Sequence, residues 1–221
     1  VFVPADLLPR NVVWLTTAVF AALAIVAMAR SPWRRLVDNE QSHAWLGAIV
    51  GIALLWSIAG GVGASVRFHL LGATIATLMF GPALAFVTLA LAGAAVTAAT
   101  GSAWATFPAH ILLSAAVPIA VTWGMLRVAE TKLPPNYFIY IFVVAFLGGA
   151  LAMAAAGMAN AALVSLVAPK AIHAGDDLIA MLAMLGFGEG TLSGMLLSLM
   201  VVYRPSWVTT FSDARYLARR D

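Results

Sequence analysis

Long apolar runs broken by short polar punctuation dominate the chain. The longest, Val66 to Ala99, reads VRFHLLGATIATLMFGPALAFVTLALAGAAVTAA. A helix of about 30 residues is about 45 Å long, against a hydrocarbon core of about 30 Å, so the run is too long for one membrane crossing. Gly81-Pro82 stands in its middle. Proline has no N–H for the backbone ladder and its ring crowds the preceding turn. Two helices are therefore predicted, about His69 to Phe80 and Ala83 to Ala99, meeting at a tight turn or break. The same pattern predicts further helices near Asn11–Ala29, Ala44–Ile58, Pro108–Val128, Asn136–Val167 and Leu178–Val202. The run from Asn136 again exceeds one span, which predicts tilt, a kink or an extension beyond the bilayer. SPWRRLVDNEQSH is the most polar stretch and is expected in water. Gly60-Gly61-Val62-Gly63 reads as a flexible connector, and a polar loop from Pro169 to Asp177 precedes the last helix.

Seven crossings give a charge ledger. With the N-terminus outside, the inner side holds Arg30, Arg34, Arg35, Arg127, Lys132, Arg204, Arg215, Arg219 and Arg220, and the outer side holds Arg10, Arg67 and Lys170. Nine against three follows the positive-inside bias of short loops. Merging the two helices at Gly81-Pro82 puts Arg127 and Lys132 outside and nearly levels the ledger, so the charges support the division independently. The expected fold is all-α: one integral membrane domain over residues 1–221, about seven transmembrane helices, N-out and C-in, in the inner membrane.

Composition agrees. Of 221 residues, 63% are hydrophobic and 10% charged, where a soluble domain carries roughly 25% charged residues. The net charge of +3 then records topology and not a nucleic-acid partner. The sequence has no cysteine, which removes disulfides, thiolate sites and cysteine nucleophiles. No G-x-x-x-x-G-K-[ST] phosphate loop occurs, and no nucleophile–base pair or metalloprotease spacing, so neither an ATPase nor an enzyme is expected. VFVPADLLPRNVVW lacks a basic n-region and a cleavage site, so the first apolar run is expected to be retained as a helix.

The polar chemistry inside the apolar chain is sparse. The topology puts His69, His110 and His173 on the outer side and His43 at the inner surface. Neutral imidazole binds late first-row metals, and His69 and His110 are the candidate metal ligands if they converge at one depth. The other reading is that each histidine is interfacial, its ring half in water. Glu189, well inside the last helix, is an ionisable group at mid-membrane, a placement kept for function or for a hydrogen bond between helices. Asn160 is its candidate partner. Asp6, Asp176 and Asp177 read as solvated, and Trp14, Trp104 and Trp123 as an interfacial belt. Gly186, Gly190 and Gly194, with Gly148, Ala152 and Ala156, read as small-residue packing faces.

HLLGATIATLMFGPALA, His69 to Ala85, resembles the histidine-leucine-leucine-glycine segment ending in glycine-proline of the CbiM/NikM proteins. These are the membrane substrate-binding components of cobalt and nickel energy-coupling-factor transporters. VPADLLP at Val3 to Pro9 is similar to the family's proline-rich opening, and GFGEG at Gly186 to Gly190 to its glycine-glutamate segment in the last helix. The resemblance implies a metal near the outer surface, held by the extreme N-terminus with a second-position histidine and by the histidine that opens the central motif. His69 matches the latter. Phe2 stands where the former is expected, and His110 falls near a position where it can compensate. On this resemblance the chain captures a divalent transition metal of cobalt or nickel type as substrate, binds no permanent cofactor, and works with separate ATPase and transmembrane coupling subunits. The alternative is a relative that has lost metal capture and serves as a membrane scaffold or assembly factor.

Overall fold

The computed structural model describes residues 8–58, 60–62, 66–167 and 175–216. α1 (Arg10–Arg30) leads through a 3-10 turn (Trp33–Val37) to α2 (Asn39–Ser57). Asp38 caps α2, its side chain accepting from the Glu40 N–H at 2.9 Å, which meets one of the donors left bare at a helix start. The first three residues of the glycine-rich connector form a short strand. β1 (Gly60–Val62) and β2 (Val66–Phe68) pair antiparallel, with Gly60 opposite Phe68. α3 (Ala73–Phe80) and α4 (Pro82–Thr100) follow.

The next long rod is α5 (Phe107–Ile111), a π-helical stretch (Leu112–Ala116) and α6 (Val117–Lys132). Pro118 has no N–H for the Ser114 carbonyl, and the helix widens just ahead of it. A second widened stretch (Ile139–Leu147) runs into α7 (Gly148–Val167). α8 (Gly175–Tyr203), a 3-10 turn (Pro205–Trp207) and the short α9 (Asp213–Tyr216) complete the described chain. Among the described residues, five stretches are long and apolar enough to cross a membrane, Ala73–Thr100 being one. Dividing that stretch at Gly81, and adding the 19-residue α2 with its polar first turn, gives the seven helices of the sequence reading.

Gly81-Pro82 is a reversal and not a kink. The Trp56 indole donates to the Leu71 carbonyl at 2.9 Å, just before α3. A Cβ on Gly93 of α4 would lie 3.1 Å from the same indole. A straight helix would hold residues 71 and 93 about 33 Å apart. The chain therefore turns back at Gly81, whose φ of 78° and ψ of 166° belong to a region that is essentially glycine's alone. α3 is buried along its whole length.

α7 and α8 pack antiparallel through glycine. A Cβ on Gly190 would lie 2.5 Å from the Phe146 carbonyl oxygen, and one on Gly186 3.1 Å from that of Ala150. Such close approach of backbones is how helices associate without a hydrophobic driving force. Gly149, and not the neighbouring Gly148, meets α8 from the α7 side.

The ends of the bundle differ in charge. Arg35 donates to the Ser206 carbonyl at 2.7 Å, Arg204 pairs with Glu40 at 3.5 Å, and Arg215 pairs with Glu130 at 3.3 Å. These contacts gather the end of α1, the start of α2 and the ends of α6 and α8 at the end that carries the α3–α4 turn. At the opposite end Leu8, just before α1, packs with Ala109 and Val164.

Candidate functional site

The site is built on the link 69–72 between β2 and α3. Sequence reading starts a helix at His69; the structure starts it at Ala73. Gly72 takes a left-handed conformation (φ 63°), and the link's amides bond away from the helical ladder. Glu189 accounts for this. Its Oε2 accepts from the Leu71 N–H at 2.7 Å and its Oε1 from the Gly72 N–H at 2.8 Å. Glu189 is fully buried at the midpoint of α8. Its carboxyl group meets the N-terminal end of α3, where bare amides offer donors. Both carboxyl oxygens face backbone N–H groups, so the hydrogen bonds that Glu189 makes from α8 go to the link that starts α3.

Trp56 completes the grip on Leu71 by bonding its carbonyl. The same indole packs against both candidate ligands, 4.8 Å from the His69 ring and 5.1 Å from the His110 ring, centroid to centroid. The two imidazoles lie 5.6 Å apart, 2% and 3% exposed, so neither is the half-wet interfacial ring of the alternative reading. A metal about 2.1 Å from a ring nitrogen lies about 3.2 Å from that ring's centre, which lets two rings share an ion at centre separations up to about 6.4 Å. The observed spacing falls within that reach.

His69 Nδ1 lies 3.0 Å from the Leu70 carbonyl oxygen. A carbonyl only accepts, so this bond selects the tautomer protonated at Nδ1 and leaves the lone pair on Nε2. Metal-binding histidines are commonly oriented by such a bond. The Ser114 hydroxyl stands 3.4 Å from His110 Nδ1, within the widened helix turn. Among the described residues, no group of three or more His, Cys, Asp or Glu side chains gathers. His43 is exposed on the second turn of α2. His173, Phe2, Asp6, Lys170, Arg219 and Arg220 lie outside the described residues.

Asn160 is buried but is not the partner of Glu189. A Cβ on Gly149 would meet the Glu189 carbonyl and Ser193, and one on Gly157 would meet Leu182. Asn160, eleven residues beyond Gly149 on α7, is therefore about 16 Å along the helix from the level of Glu189. The partners of Glu189 are backbone amides, which sequence reading missed because they carry no side-chain signal. Trp56 was missed as well. Its position at the end of an apolar helix, beside the glycine connector, was the only clue.

The model of the family described as CbiM, cobalt uptake substrate-specific transmembrane region, matches residues 3–207. Among solved structures, the chain is similar to the crystal structure of a truncated transition metal transporter, with a TM-score of 0.76 and 17% identity, covering 92% of this chain and 99% of that one. It is also similar to the crystal structure of a transition metal transporter, with a TM-score of 0.74 and 17% identity, covering 90% and 92%. No curated protein matches the sequence.

Proposed function

The chain belongs to the CbiM family of cobalt-uptake transmembrane regions, and we propose that it captures a divalent transition metal of cobalt or nickel type through His69 and His110. As a member it is an integral membrane component of metal uptake and not an enzyme. Its 221 residues act as one membrane domain in the inner membrane. Separate ATPase subunits and a transmembrane coupling subunit drive transport in an energy-coupling-factor assembly, and the metal is cargo, not a resident cofactor.

The observation that carries this reading is the pairing of two buried imidazoles, 5.6 Å apart, at the start of a broken helix. Imidazole suits borderline divalent ions such as cobalt, nickel, copper and zinc better than it suits magnesium or calcium. An ion entering here leaves its water shell and needs preset ligands in return. Trp56 and Glu189 hold the His69 link in place before the ion arrives, so little ordering remains on binding.

The test is metal analysis of the purified chain after loading with cobalt or nickel, with and without His69→Ala. Stoichiometric metal that is lost in the variant supports the reading. No bound metal under any loading condition overturns it and favours the scaffold or assembly role.

A further inference from the structure

α3 is gripped at both ends by distant parts of the chain. At its start Glu189 holds the Leu71 and Gly72 amides. At its end two carbonyls lack ordinary helical partners. Four residues beyond Leu78 stands Pro82, which has no N–H, and four beyond Met79 stands Ala83, past the turn.

A strap after α8 supplies the donors. Thr210 gives its N–H and its hydroxyl to the Leu78 carbonyl at 3.3 and 2.7 Å. Thr209 gives its N–H and its hydroxyl to the Met79 carbonyl at 3.0 and 2.8 Å. The Thr210 hydroxyl lies 2.7 Å from that of Tyr140. With Thr210 donating to Leu78, Tyr140 is the donor to Thr210, and the Tyr140 ring packs against Phe211 at 5.1 Å. The strap is thus fixed to the π-helical stretch before α7 as well as to α3.

Between these grips α3 is about 12 Å long and wholly buried. A close-packed interior has no room for it to slide independently of its ends. We propose that Thr209 and Thr210 are positioning residues for the captured ion: through α3, the strap sets the placement of His69 from the opposite end of the bundle. This rests on the reading of His69 as a ligand. The metal site is accordingly sensitive to the end of the molecule where the basic residues gather.

The test uses the full chain, purified and titrated with Co(II) alone, following affinity, stoichiometry and the visible ligand-field spectrum of the bound ion. The Thr209→Val/Thr210→Val double variant keeps the branched shape and removes both hydroxyls. It is expected to bind one ion about three- to tenfold more weakly, from the loss of two partly buried hydrogen bonds, with an altered spectrum. Thr209→Ser/Thr210→Ser, which keeps the hydroxyls, is expected to restore both. Unchanged affinity and spectrum in the valine variant, or equal weakening in the serine variant, overturns the inference. His69→Ala separates the two readings: if it abolishes binding while the valine variant does not differ from the parent, only the strap's role fails. If it leaves binding intact, the ligand assignment itself fails. Should the valine variant not fold, amide exchange of the unaltered chain decides. Coupling is reciprocal, so Co(II) must slow amide exchange across residues 206–211, and an unchanged rate overturns the proposal.

Discussion

Glu189 brings two acceptors to two amides that would otherwise be stranded at the head of α3. Glutamine at that position keeps the shape and loses half the function, because its NH2 would face an N–H. One buried donor is then left unmet, at a cost of about 1–3 kcal/mol. We expect Glu189→Gln to lower thermal stability and weaken ion binding together, measured by unfolding in detergent with and without Co(II). Unchanged stability would remove the clamp from the account. Sequence reading singled out His69 and Glu189 separately, as a motif histidine and a mid-membrane carboxyl. That they serve one link is a tertiary fact, since 118 positions separate Glu189 from Leu71.

Among elements, the α3–α4 reversal has the most consequence, because it returns the chain toward the site while leaving α3 as a short buried rod. Pro82 was legible as the start of a new helix. Gly81 was legible as a weak point, but its positive φ appears only in the folded backbone. A Cβ at Gly81 would meet nothing within 4 Å, so Gly81→Ala tests conformation without steric overlap. The expected cost is about 1–3 kcal/mol, read as a fall in unfolding temperature. A variant as stable as the parent would mean that the turn tolerates an ordinary backbone. In the glycine connector, cross-strand pairing of Gly60–Val62 with Val66–Phe68 is a feature that composition did not signal.

At the scale of the molecule, basic residues gather at the end formed by the α3–α4 turn. Arg30 and Lys132 close α1 and α6 there, and Arg35, Arg204 and Arg215 tie the flanking segments together. On the positive-inside bias this end is expected to face the cytoplasm. A reporter fused after Arg220 is expected to give a cytoplasmic signal, and an external signal would reverse the orientation. The ion pairs themselves are partly exposed and contribute little to stability. Their use is in holding the strap and its neighbours to one end.

The sequence by itself determined the membrane-spanning class, the places where helices run, and the division at Gly81-Pro82. Those follow from hydrophobic run length, proline chemistry and charge bias, all local properties of the chain. It also marked the histidines and the buried carboxyl as costly residues in an apolar setting. Only the tertiary structure decided what they touch. The pairing of His69 with His110, the grip of Trp56, the amide partners of Glu189 and the separation of Asn160 from it depend on which helix faces meet. Those faces are set by close packing between segments far apart in sequence, which no local pattern encodes.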